Sequence, residues 1–362
     1  AAEKNGFLMS FSLPHLNQFG WKLHEQAVRN RFTWMTRFLI RKVANNPAVV
    51  MYAMNHNSCG YYGDQNPLKI DGKYRPEKDE DSEFPLPGNR RNQAAHAELI
   101  VKSIDPTRLV YHHESGNLGD LHSVNIYLNW APLQERSDWM KHWAANGVKP
   151  VFFVEWGLPH ISSWSSYRGP AFIWRTKAFQ SLWATEYAAA EIGEDAYRQA
   201  SMFGGEAIVH EQKLWDTQEP FAWSELNKPI AKYPFYHQIM AKYATDNWRS
   251  HRTFGVSAML PWDQGALWKP QKNVNPKAHL NDLSVLKQPG LFPDRMKAMP
   301  SQFIYGKTDP SNWEPTDLGE AFLRWNQDTC AFIGGIEENF TDKTHYYRQG
   351  ETIEKTIVLI ND

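Results

Sequence analysis

The feature that most restricts this chain is a repeated alternation of short apolar runs with longer segments of helical period. "GFLMSFSL" (6–13), "AVVMYAMN" (48–55), "RLVYHHE" (108–114), "SVNIYLNW" (123–130), "PVFFVE" (150–155) and "FGVSAMLPW" (254–262) read as strands. Between them lie amphipathic segments. "NRFTWMTRFLIRKVANN" (30–46) has Pro47 just past its end, "NQAAHAELIVKSI" (92–104) is stopped by Asp105-Pro106, and "SDWMKHWAANG" (137–147) closes on Gly147. A mostly helical stretch runs from about 171 to 250. A continuous apolar run such as "AVVMYAMN" suits a strand covered on both faces. Strand–helix alternation therefore predicts an α/β fold with a parallel sheet. No Gly-rich phosphate fingerprint follows any of these strands, which argues against a dinucleotide-binding fold. A (β/α)8 TIM barrel fits the pattern better, and in that fold the chemistry sits at the C-terminal ends of the strands.

The length, 362 residues, suffices for one large domain and a smaller piece. A net charge of −1 argues against nucleic acid as the main partner, because phosphate binding calls for a basic face. No run approaches the ~18 apolar residues of a membrane span. Cys59 and Cys330 are too few for a disulfide framework or a zinc cluster and are expected as free thiols. Asn339-Phe340-Thr341 fits the glycosylation acceptor pattern. Aromatic content of 14%, with 16 Trp, exceeds the needs of a core and favours a cleft lined with flat rings. Sugars present flat C–H faces that stack on such rings.

Two segments read as excursions: the charged, Pro-rich 71–91, a solvated loop near the barrel mouth, and the irregular 273–303. Near the C-terminus Thr352, Glu354, Thr356 and Val358 alternate with Ile353, Lys355, Ile357 and Leu359 after Gly350. That alternation predicts the first strand of a β-sandwich. The expected division is a barrel domain over 1–270, an irregular barrel-completing or linker region over 271–344, and the sandwich strand over 345–362.

"VFFVEWG" (151–157) runs four apolar residues directly into Glu155. A buried carboxylate is expensive unless it is paired or used. A strand end facing a barrel mouth is where it would be used.

Taken in order, "GFLMSF", "NNPAVVMYAMNHN", "DPTRLVYHH", "VNIYLNW", "PVFFVEWG" and "LPWDQG" resemble the catalytic barrel of the clan A glycoside hydrolases, nearest the family 2 β-galactosidase/β-glucuronidase type. The resemblance covers roughly residues 1–265. It implies that the chain enters at the third barrel strand, so that a companion chain would supply the first two strands and the N-terminal sandwich domains. It implies that Glu155 is the nucleophile of a retaining β-glycosidase, an ionised carboxylate held under the anomeric carbon. It also implies a poly- or oligosaccharide substrate and a secreted or periplasmic setting.

The chain departs from the family at the proton donor. The family ends its fourth strand in "NE"; here it ends in Met54-Asn55-His56-Asn57. Asn55 matches the family asparagine that binds the 2-hydroxyl, and His56 stands at the acid/base position. Three readings follow. His56 could itself be the donor, since an imidazolium with an unperturbed pKa of about 6.5 suits that work. The acid could be Asp64 or Glu114, given a pKa raised by burial or like charge. Or hydrolysis has been lost and the barrel only binds sugar.

In "Tyr111-His112-His113-Glu114", alternation sends His112 and His113 to opposite faces, so one of them points into the barrel. Asn125 and Tyr127 end the next strand, where a tyrosine hydroxyl could hold the nucleophile ionised. Trp262 resembles the tryptophan that floors the sugar site, while Trp156 and Arg168 follow Glu155 and join the expected sugar contacts. Residue types around His56, His112, His113 and Glu114 permit a metal, but no H-x-x-x-H spacing supports one, and neither metal nor cofactor is expected. The leading expectation is a retaining β-glycosidase. The alternatives are a catalytically silent carbohydrate-binding barrel and a metal-assisted or lyase-type enzyme.

Overall fold

The computed structural model describes residues 3–73, 87–128, 131–157, 191, 236–262, 267–271, 279–280, 299–300, 313–344 and 346–362. Six parallel strands follow one another in chain order: β1 (Met9–Ser12), β2 (Val49–Met54), β3 (Leu109–His112), β4 (His122–Ile126), β5 (Val151–Gly157) and β6 (Ala258–Trp262). Each lies within an expected strand segment or within one to two residues of it. Among the described residues, the helices between them are α1 (Gln26–Val43), α2 (Pro87–Ile104), α3 (Leu133–Asp138), α4 (Lys141–Asn146) and α5 (Tyr236–Thr253).

The amphipathic spacing sets the outer packing. α1 buries Phe32, Thr36 and Ile40, four residues apart, and α2 buries Ala94, Ala97 and Val101. Both faces close on Tyr52 and Met54 of β2 and Val110 of β3, forming one core. A second core lies under α5 and α6 (Asp317–Trp325), where Ile239, Met240, Tyr243 and Phe322 meet Val124, Phe153 and Trp156. α6 starts cleanly because the Thr316 hydroxyl accepts from Gly319 N at 3.2 Å. The segment expected as one helix over 137–147 is two, α3 and α4. They break at Trp139 and Met140, which turn inward; Trp139 Nε1 donates to Gln65 O at 3.2 Å.

One expectation is corrected. The six strands do not run as one continuous stretch of barrel wall among the described residues; they form two sheets, β1-β2-β3 and β4-β5-β6. The cause is the segment after β3. Glu114, Gly116 and Gly119 all have positive φ (52°, 55° and 93°), and the chain folds back on itself. It then takes the hydrogen bonds that β3 and β4 would have exchanged. Asp120 N donates to Val110 O at 2.8 Å, Val110 N to Asp120 Oδ2 at 2.7 Å, and Ser123 N to Gly116 O at 3.0 Å. The two sheets still share an inner face, built from Tyr111, Leu121, Phe152 and Val154 with Met51, Ala53 and Ala258 against them. β1 and β6 are the outer strands, and they carry exposed apolar residues: Met9 on β1 and Leu260 on β6, with Phe7 and Leu8 just ahead of β1.

The remaining strands pair antiparallel: β7 (Trp268–Pro270) with β10 (Trp313–Pro315), β8 (His279–Leu280) with β9 (Met299–Pro300), and β11 (Thr329–Ile333) with β12 (Ile357–Asn361). The C-terminal strand is thus shorter than its alternation suggested. It starts at Ile357 and pairs back onto β11, and Cys330, Phe332 and Ile360 pack into the same core as β5. Cys59 and Cys330 are free and buried, one in each core, as expected. No helix among the described residues is long and apolar enough to cross a membrane.

Candidate functional site

The site forms where β2, β3, β4 and β5 end, and it begins with an irregularity in β5. Phe152 and Val154 face the inner side of the sheets, while Val151 and Phe153 face α5 and α6. Strict alternation would then send Glu155 outward and Trp156 inward. The opposite occurs. From Phe153 to Glu155, β5 advances two residues while β4 advances one, from Val124 to Asn125. From Phe153 to Trp156 it advances three while β6 advances two, from Met259 to Pro261. β5 therefore carries one extra residue relative to both neighbours, a bulge at Val154–Glu155. The bulge resets the phase. Trp156 turns into the outer core, fully buried against Tyr243, Trp248 and Phe322, and Glu155 turns to the mouth, 8% exposed. The expectation that Trp156 contacts sugar is corrected on this ground.

Around Glu155 the groups converge. Tyr127 Oη donates to Oε2. His113 Nε2 lies 3.5 Å from Oε1. Burial pushes the Glu155 carboxyl above its ordinary range, against the Tyr127 hydrogen bond, the charge of His56 and an Asn57 hydrogen bond. Gly157 makes the Tyr127 contact possible: a Cβ there would fall 1.7 Å from the Tyr127 ring. Trp262, at the end of β6, stands edge-on to Tyr127 with 6.2 Å between centroids.

The turn after β2 supplies the other wall. Asn55 and Asn57 both have positive φ (37° and 43°), and asparagine tolerates that region better than most residues. The two bracket His56 and present it outward, exposed. The turn is stitched to β3 by Asn57 N to His113 O at 3.2 Å and His113 N to Met54 O at 3.0 Å. The His113 Nδ1–H donates to Asn57 Oδ1 at 2.7 Å, and Asn125 Nδ2 donates to the same oxygen at 3.4 Å. The imidazoles line up: His113 and His56 are 4.1 Å apart between centroids, and His56 stacks on His15 at 6.5 Å. Burial, with His56 and His15 nearby, pushes His113 down to about 3, so it is neutral in the folded protein at neutral pH. One nitrogen from each of His56 and His113 and one oxygen of Glu155 lie within 4.8 Å of one another.

Other expected residues fall elsewhere. His112 and His113 do take opposite faces, and His113 is the one at the mouth. His112 is fully buried, its Nδ1 bonded by Asn55 Nδ2 at 3.0 Å and its Nε2 3.7 Å from Glu98 on α2. The Asn55 Oδ1 accepts from Leu16 N at 2.9 Å, so both ends of that amide are used within the protein. Asp64 accepts from Tyr61 N at 2.8 Å and pairs with Arg91 at 3.5 Å, packed where a Cβ on Gly116 would meet it at 2.1 Å. Burial raises its carboxyl, opposed by Arg91. Glu114 is buried in the left-handed turn after β3. Asn125 pairs with Glu155 across the β4–β5 ladder, and its Oδ1 is buried without a hydrogen-bond partner among the described residues. Arg168, with Trp130, Trp164 and Asp263, lies outside the described residues.

Sequence reasoning missed His15 and Asn57. "Asn-His-Asn" could have flagged Asn57, because two asparagines around one residue suggest left-handed turns. Nothing local flags His15, whose approach to His56 is tertiary.

No family model matches the chain, and no curated protein matches it. Among solved structures, it aligns with a GH2 β-galacturonidase from Eisenbergiella tayi bound to galacturonate. That alignment has 16% identity, 47% of this chain and 30% of that one, and a TM-score of 0.28. It also aligns with the β-glucuronidase of Parabacteroides merdae at 12% identity, over 90% of this chain and 31% of that one, with a TM-score of 0.34. The chain thus spans under a third of either protein's length. The likeness is distant, and at these TM-scores it carries no argument about function.

Proposed function

We propose that this chain is a carbohydrate-active hydrolase, a retaining β-glycosidase that acts outside the cytoplasm on a poly- or oligosaccharide. In this reading Glu155 is the nucleophile and His56 the proton donor. One observation carries it: the β5 bulge brings the buried Glu155 carboxylate to the strand ends, under a tyrosine hydroxyl and beside an exposed imidazole. Attack by Glu155 Oε1 on the anomeric carbon would form a glycosyl ester as the aglycone oxygen leaves with a proton from His56. A water deprotonated by His56 would then release the sugar. Tyr127 favours the ionised carboxylate that attack requires. The Asn125 Oδ1, which has no hydrogen-bond partner among the described residues, supports the same reading as a buried acceptor suited to a sugar hydroxyl. His56 is favoured over Asp64 because Asp64 is engaged by Arg91 and Tyr61.

The test is a leaving-group series. His56→Ala should lower kcat/KM on alkyl glycosides by about 100-fold or more, and leave dinitrophenyl glycosides, which need no proton, within about tenfold of the parent. Glu155→Gln should abolish turnover of both while sugar still binds. Equal losses on the two substrate classes for His56→Ala would remove His56 from the donor role, and a Glu155→Gln variant that still turns over would end the nucleophile assignment.

A further inference from the structure

We infer that His56, His113 and Glu155 form a binding site for one borderline first-row divalent cation of the zinc type. The argument starts from a tautomer. Asn57 Oδ1 is an acceptor and already receives Asn125 Nδ2, so His113 must place its proton on Nδ1 to bond it. That leaves an Nε2 lone pair 3.5 Å from Glu155 Oε1. Two acceptors facing each other at that distance call for something positive between them.

The spacing suits a metal ion. Ligands at ~2.0–2.1 Å from zinc, subtending a tetrahedral angle, stand about 3.3 Å from each other. His113 and Glu155 meet that separation nearly as they stand. His56 completes the set, since all three ligand atoms lie within 4.8 Å and its exposed side chain is free to close the remaining gap. Two imidazoles and one carboxylate, with further positions open to solvent, are a donor set for zinc, cobalt or iron(II) and a poor one for calcium or magnesium, which take oxygen. The supporting shell is also present. The Asn57 amide fixes the His113 ring through the nitrogen that does not ligate, and Tyr127 holds the other carboxylate oxygen. The backbone at Asn57, φ 43°, is held in a sparsely populated region to make this contact.

The occupancy claim stands without the glycosidase reading. Its consequence rests on that reading: a cation on Glu155 Oε1 occupies the atom that would attack the sugar and so inhibits hydrolysis reversibly.

The experiment titrates the purified, chelator-treated full chain with Co2+, following visible d–d absorption, and then displaces the cobalt with Zn2+. We expect one equivalent with the intense bands of low-coordinate cobalt. His56→Gln, His113→Gln and Glu155→Gln should each weaken binding by about 100-fold or more, and Asn57→Ala by about 10–100-fold. His56 is exposed, so its variant keeps the fold and remains informative if a buried variant does not. Failure of the parent chain to bind cobalt, or unchanged affinity in His56→Gln, overturns the site. Binding that falls with His142→Ala, half-buried on α4 and away from the site, also overturns it. A chain that binds cobalt through these residues yet cleaves no sugar would refute the hydrolase and leave the cation site standing; sugar cleavage without cobalt binding would do the reverse.

Discussion

Gly157 and Tyr127 act as one unit. Tyr127 reaches Glu155 only because residue 157 has no side chain to displace the ring. Tyr127→Phe removes a hydrogen bond that favours the charged carboxylate, so the Glu155 carboxyl rises further above its ordinary range. Under the proposed function Glu155 must be ionised to attack, and activity is lost as pH falls through its pKa. The acid limb of the kcat/KM profile should therefore move to higher pH in Tyr127→Phe, with activity at neutral pH about tenfold lower. Gly157→Ala should reproduce that shift, and the double variant should be no worse than either single one. Additive losses would mean that the two residues act separately. Glu155 was legible in the sequence because an apolar run ending in a carboxylate is unusual. His113 was half legible, since alternation separated it from His112 without saying which faced inward. His15 was not legible, because only packing brings it to His56.

At the scale of elements, strand identities were readable from apolar runs, and their phase was not. The bulge in β5 exists in its pairing with β4 and β6, and no residue in "VFFVEWG" announces it. Trp156 was misplaced for that reason. The gap between β3 and β4 was hidden similarly: nothing in the sequence says that the segment through Gly116 and Gly119 would take over the facing edges of both strands. The bulge makes Trp156 a core residue, and Trp156→Ala should cost about 3–5 kcal/mol, read as a lower urea midpoint. If Trp156 instead served the cleft, the same substitution would spare stability and weaken sugar binding.

Across the whole molecule, one buried histidine ties the layers together. His251 on α5 donates from Nε2 to Arg136 O at 3.2 Å on α3, and its Nδ1 accepts from Trp156 Nε1 at 3.4 Å on β5. It is neutral; burial pushes it down to about 4, although the Arg136 carbonyl opposes this. The unfolded chain takes up a proton near pH 6.5 while the folded chain resists until about pH 4. Stability from this group is thus complete above 6.5 and lost progressively below it. Burial pushes His113 and His122 down as well, so both contribute to acid sensitivity in parent and variant alike; between pH 7.5 and pH 5, urea unfolding of His251→Gln should lose about 2 kcal/mol less than that of the parent. An unchanged pH dependence in the variant would assign the acid sensitivity to other groups.

The extra residue in β5 finally makes the site a matter of counting rather than of chemistry. Conservative exchanges at 151–154 would leave carboxylate and indole on their present sides of the wall. Removing a single residue from that stretch would trade their places, hiding the acid among rings and leaving the indole facing the entrance. A region like this tolerates changes of spelling but not of length.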